Sequence, residues 1–251
     1  MKVNYRNEYK LFKKELADNG KENARVTMSS LVLSVPINNA SNSYQFPVLE
    51  SDAPGVPQIP DEIRLNQNDL FSMYEVGIFL RAELIKLGPP DTTVSYFLSS
   101  SPIELDRENI AFERLYEGKL QWNVNNVTWL DNWDVRKHQY KGVTQWQNFS
   151  AGLPFTTFPA NNYEDSGMIP FIPKLNISGA KKNFPVIVLP EAINPLPPAS
   201  GIITPTGNLT LNISHIVVVL RGLLAQNCAD FQTRDSAIRQ QKPSIKKKFG
   251  K

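Results

Sequence analysis

The chain has 251 residues, 41% of them apolar and 20% charged, with a formal net charge of only +3. That apolar content supports a packed core and excludes wholesale disorder, and no apolar run reaches the roughly 18 residues a membrane-spanning helix needs. A single cysteine, Cys228, excludes an internal disulfide and a thiolate metal cluster, and reads as a small buried apolar side chain.

The charge is unevenly placed. Residues 1–25 carry +3 and residues 234–251 carry +6, which leaves −6 on residues 26–233. Basic ends on an acidic body favour anionic surfaces, either lipid headgroups or nucleic acid phosphates. No apolar run or cleavage site follows the first lysines, so the expectation is a chain without a secretory signal that folds reduced in a host cytoplasm.

In chain order, the first element is a helix over residues 5–18. Tyr5, Tyr9, Phe12 and Leu16 fall on one stripe, with Arg6, Lys10, Lys13 and Lys14 beside or opposite it. Asn19-Gly20 supplies the stop. Such a helix either packs on its own protein or lies as a basic amphipathic segment on a membrane surface.

From Arg25 the pattern becomes β. Leu31, Leu33 and Val35 alternate, as do Tyr74, Val76, Ile78 and Leu80, then Val94, Tyr96 and Leu98. The Pro-rich stretch 47–60 reads as a loop, and a short helix fits within 105–116. Residues 154–173 and the six prolines from Pro185 to Pro205 read as connections or edge segments, since proline cannot donate to a central ladder. Ile216 to Leu220 is apolar throughout, as in a strand buried on both faces. Beyond Phe231 the chain is polar and basic.

An internal likeness sets the predicted domain count. Residues 118–127 match residues 207–216, with Gly118/Gly207, Leu120/Leu209 and Asn123/Asn212 identical. The apolar alternation slips phase after Val124 in one and after Ile213 in the other, as a β-bulge or corner in equivalent strands would produce. The expectation is an all-β chain of two duplicated sandwiches.

Residues that carry chemistry are sparse. Of the two histidines, His215 reads as a sandwich-surface imidazole, and no nucleophile elbow, His-Glu-x-x-His, P-loop or Gly-x-Gly-x-x-Gly motif accompanies either. Asp131 with Asp134, or Glu164 with Asp165, would suit a glycosidase or a calcium site, but acidic loop residues are ordinarily just solvated. Trp122 belongs to the core by its place in the repeat. Trp129, Trp133 and Trp146 suit a sugar-stacking face or a subunit interface equally well. The six Asn-x-Ser/Thr triplets reflect turns and strands rich in those residues. No catalytic residue, metal ligand or cofactor is assigned; structural calcium at a subunit contact has no motif behind it.

The basic amphipathic helix, two sandwiches of about a hundred residues each, Pro-rich connections and Leu65–Leu80 as an early strand pair resemble the double jelly-roll major capsid proteins of small lipid-containing icosahedral bacteriophages of the Finnlakeviridae type. The resemblance implies two consecutive eight-stranded jelly-roll sandwiches behind a short N-terminal amphipathic helix. The parts would be a basic helix at 1–24, rolls at 25–141 and 142–233, and a basic tail at 234–251. It further implies homotrimers with a pseudo-hexagonal outline, packed against neighbouring capsomers and minor capsid or vertex proteins in a virion shell over an internal membrane. Arg6, Lys10, Phe12, Lys13, Lys14, Leu16, Lys246, Lys247 and Lys248 would face that anionic membrane, and sequence-specific nucleic acid recognition is not expected. The rival expectations are a tandem-sandwich carbohydrate-binding or spike protein and, behind it, a glycan hydrolase on paired jelly rolls.

Overall fold

The computed structural model describes residues 4–38, 40–52, 62–87, 93–99, 114–125, 127–139, 167–193, 202–204 and 207–230. Among the described residues a helix, α1 (Tyr5–Asp18), precedes ten strands: β1 (Val26–Pro36), β2 (Ser43–Gln45), β3 (Leu70–Leu87), β4 (Thr93–Ser99), β5 (Lys119–Val124), β6 (Val127–Asp134), β7 (Met168–Ser178), β8 (Asn183–Val188), β9 (Ile202–Thr204) and β10 (Gly207–Ala225). Residues 114–116 are helical, and the rest of the short helix expected within 105–116 lies outside the described residues. The all-β class is as expected.

The strands form two antiparallel sheets. In the six-stranded sheet β10 lies between β1 and β3, β9 adds to β10, and the far side of β3 is shared by β7 and β4; the four-stranded sheet runs β2-β8-β5-β6. The connectivity has a simple rule. Strands from the first half of the chain pair antiparallel with strands from the second half in reverse order: β1 with β10, β2 with β8, β3 with β7, and β5 with its hairpin partner β6. The chain is thus a long two-stranded ribbon, and wrapping it brings β10 against β3 and β8 against β5, which closes the two sheets.

This corrects the expected division into two rolls. β7, β8 and β10, all from beyond residue 141, are hydrogen-bonded into the same sheets as β1, β2, β3 and β5, so among the described residues neither 25–141 nor 142–233 has a sheet of its own. The core is shared as well. Leu31, Leu33, Val76, Ile78, Leu120 and Trp122 from the first segment are buried in one cluster with Phe171, Ile187, Ile216, Val218 and Leu220 from the second. Nor are 118–127 and 207–216 equivalent, since β5 and β10 lie in different sheets.

The shared phase slip has two separate causes. In β10 a bulge falls between Ile213 and His215, so Ser214 has no opposite residue on β3. After Val124 the chain turns back into β6 through Asn125, whose φ of 47° is the left-handed conformation a tight turn needs.

Inward-facing rows explain the apolar alternation. Leu33 lies opposite Val218 and Val218 opposite Ile78, while Leu31, Leu220 and Val76 form the next row. As the strand between β1 and β3, β10 buries Ile216, Val217, Val218 and Leu220, so both of its faces are covered, as its apolar run predicts. The expected run from Tyr74 to Leu80 is broken, because Tyr74 is skipped in the pairing with both β10 and β7 and turns to the outer face. Gly222 marks another close approach: a Cβ there would stand 2.0 Å from the Ser72 carbonyl oxygen.

Three prolines, Pro170, Pro173 and Pro185, stand in strands where loops were expected. Pro170 lies within β7, an edge strand that needs no donor on its outer side. Pro185 lies within β8, and its carbonyl accepts from Phe46 N–H at 2.9 Å on the side where β2 has already ended. Residues 53–60 and 154–166 lie outside the described residues.

Helix α1 follows the expected bounds and stop. Asn4 accepts from Asn7 N–H at its start, and Gly20 (φ 74°) lets Lys21 N–H reach back to Leu16 O at its end. Phe12 and Leu16 are fully buried on the outer face of the larger sheet, in a second cluster with Leu70, Tyr74, Leu223, Ala225 and Cys228. Polar ties pin the helix there: Tyr5 donates to Glu75 at 2.9 Å and Lys174 to Glu15 at 2.7 Å.

Candidate functional site

The helix that packs its apolar stripe inward turns a basic stripe outward. Arg6, Lys10 and Lys14, four residues apart, are exposed along one face. Lys13 is not part of that face in the same way, because its ammonium donates to Ala24 O at 2.6 Å. Phe12 and Leu16, expected at a membrane, are instead spent on the protein's own sheet, for the physical reason that the sheet offers a matching apolar floor. Only Tyr9 (39% exposed) and Leu11 (52%) leave apolar surface outside.

The C-terminal end of the described chain comes to the same side. After β10, Asn227 N–H is bound by Asp69, Ala229 N–H by Asn68 O, and the Ala229 carbonyl accepts from the Ser178 hydroxyl. Asp230 then pairs with Lys21, just beyond the end of α1, at 2.9 Å. Their shared hydrogen bond raises the Lys21 pKa and lowers that of Asp230. The last described residue, Asp230, therefore lies beside the end of the basic helix. Lys246, Lys247 and Lys248 lie outside the described residues.

A second feature is the edge formed by β6. The strand carries two register shifts against β5, and Trp129 falls in one of them, between Leu130 opposite Trp122 and Thr128 opposite Asn123. A bulge re-aims its extra residue, and Trp129 is 47% exposed, next to Val127 at 64%. Trp133 faces inward. Its ring lies 5.3 Å from that of Phe171 on β7, and its Nε1–H donates to His138 Nε2 at 3.0 Å. Trp146 lies outside the described residues.

Of the carboxylates weighed for chemistry, Glu164 and Asp165 lie outside the described residues, and Asp131 and Asp134 hold local structure. Asp131 accepts from Gln121 and Asn132, and Asp134 caps the 3-10 turn at Val135–His138 by accepting from Arg136 N–H. Among the described residues no three His, Cys, Asp or Glu side chains group as metal ligands would. No helix among them is long and apolar enough to cross a membrane. His215 lies on β10, half-buried beside Ser214 Oγ at 2.8 Å.

Sequence reading missed two polar arrangements. Glu62 and Arg64 form a buried pair at 2.6 Å, with Arg64 also donating to Pro47 O and Glu62 accepting from Ser34. They flank Ile63, which bridges to Val32 and so covers the outer edge of β1. The spacing of two, which puts both side chains on one face of an extended segment, was the available signal. The other is His138, whose partners Trp133 and Gly167 are separated in sequence and meet only in the folded chain. Comparison of the chain with protein-family models, curated proteins and solved structures finds no match.

Proposed function

We propose that this chain is a non-catalytic structural subunit of a virion shell, built on one jelly roll, with its basic side turned to a phosphate-bearing partner inside. The observation that carries the reading is the reversed pairing of first-half with second-half strands, which is the winding of a jelly roll, an architecture used by viral capsids. The exposed basic stripe of α1, with Asp230 paired to Lys21 just beyond the helix, supports the orientation.

The proposal is narrower than the sequence expectation in two respects. A pseudo-hexagonal trimer drew its outline from two rolls per subunit; a trimer of single rolls is triangular. With Phe12 and Leu16 buried, contact with an internal membrane would be electrostatic and not insertion. Phosphates of a packaged nucleic acid fit the same stripe, read without regard to sequence.

Native mass measurement with negative-stain imaging tests the assembly. Trimers or closed particles are expected, and a monomer persisting at high concentration overturns the shell reading. The partner is tested with the full chain against Arg6→Gln/Lys10→Gln/Lys14→Gln, using single-stranded DNA in one arm and anionic phosphatidylglycerol vesicles in the other. Binding that weakens in the variant and with added salt is expected; equal binding by both proteins in both arms removes the role of the stripe.

One observation favours a second reading. Trp129, exposed on a bulged edge strand, is placed as a sugar-stacking side chain would be. Glycan-array binding lost in Trp129→Ala would favour a carbohydrate-binding protein over a shell subunit.

A further inference from the structure

His138 occupies the seam between the two sheets. Its side chain is fully buried in the 3-10 turn that follows β6, the edge strand of the smaller sheet. Nε2 accepts from the Trp133 indole at 3.0 Å, and an indole N–H can only donate, which fixes the ring as the Nδ1–H tautomer. Nδ1–H in turn donates to the carbonyl of Gly167 at 3.1 Å, immediately before β7, the edge strand of the larger sheet. The Trp133 ring packs on Phe171 of β7. One neutral imidazole thus links both edges, and a second proton on it would set N–H against N–H.

The charged groups around the ring have been placed by the fold. On its own turn, Lys137 holds its ammonium 4.5 Å from the Trp133 ring centre and disfavours a second positive charge, while Arg136 reaches outward to Glu117 at 3.6 Å. On β6, Asp134 favours protonation but is engaged in capping Arg136 N–H and stands 3.9 Å from Lys119. On β3, the Val76 carbonyl favours the charged ring, and Glu75 is turned to the outer face toward Tyr5 and Arg221. On β7, residues 167–171 carry no ionisable side chain.

We propose that His138 is an acid-sensitive latch that fastens the β6 edge to the β7 edge when neutral and releases it when protonated. This stands apart from the shell reading and holds for the subunit alone. Burial is the dominant influence on the ring and pushes its pKa down from 6.5 to about 4. Between those values the unfolded chain binds the proton that the folded chain refuses. The latch is therefore fully in place above pH 6.5 and is lost as pH falls toward 4.

With only two histidines in the chain, NMR of histidine-labelled protein reads the latch directly, His215→Gln assigning the signals. The Nδ1–H tautomer and a His138 midpoint below pH 5 are expected, with hydrogen exchange at Trp133 and residues 167–171 rising through the same interval. His138→Gln keeps an acceptor for Trp133 without titrating. Over pH 6.5 to 4 the unfolding constant of the wild type should rise up to about tenfold per pH unit more steeply than that of the variant. A midpoint between 6 and 7, or equal slopes, overturns the proposal. If His138→Gln does not fold, Trp133→Phe keeps the ring contact and removes the opposing N–H; the His138 midpoint should then move upward, and an unmoved midpoint likewise overturns it.

Discussion

Arg64 shows how much a single side chain can hold. Its guanidinium neutralises Glu62 inside the fold and takes the Pro47 carbonyl at 2.7 Å, so one residue joins the cover of the β1 edge to the segment before residue 50. Arg64→Ala leaves the Glu62 carboxylate buried without its guanidinium and should cost about 3 kcal/mol, measured by urea unfolding. Gly222 is constrained differently. With the Ser72 carbonyl 2.0 Å from where a Cβ would sit, Gly222→Ala forces the central pair of strands apart, and a loss of about 2–4 kcal/mol is expected in the same assay. Neither residue announces itself in the sequence. Glycine in a strand signals a bulge or a close approach in general, but which carbonyl approaches depends on a strand about 150 residues away in the chain.

At the scale of elements, α1 belongs to the folded body. Its stripe fills a gap on the outer face of the larger sheet that would otherwise expose Leu70, Tyr74 and Leu223. Phe12→Ala should cost about 3–5 kcal/mol, and a chain beginning at residue 25 should melt lower and bind a hydrophobic dye that the full chain does not. The same reasoning rejects truncation at residue 25 as a clean test of anion binding, because it removes core with charge. Much of this level was readable. The helix bounds, its Gly20 stop, the alternation in β1 and the doubly buried run in β10 follow from local periodicity. The inward turn of Phe12 and Leu16 did not, since an amphipathic helix has the same pattern whether its apolar face meets a bilayer or a sheet.

At the scale of the molecule, the domain count was the misreading, and its cause is instructive. Strands share alternating apolar patterns, so the likeness of 118–127 to 207–216 reports only that both are strands. The shared slip that suggested equivalent strands is a hairpin turn at Asn125 in one and a bulge at Ser214 in the other. What separates one sandwich from two is pairing between distant segments, and no local pattern encodes that β8 enters between β2 and β5. The interleaving has a measurable outcome. Thermal and urea unfolding should each show one transition, coincident by tryptophan fluorescence and circular dichroism, and fragments 25–141 and 142–233 should not fold separately. Two resolved transitions would restore the duplicated arrangement. Folding should also be slow, in the range of milliseconds to seconds, because the larger sheet pairs residues as distant in the chain as Val26 and Ala225.

That pairing of Val26 with Ala225 means the body is entered and left at one doorway. A short linker would bridge the gap, and fresh termini could be opened at the Asn125 hairpin, giving a circular permutant with the same sheets.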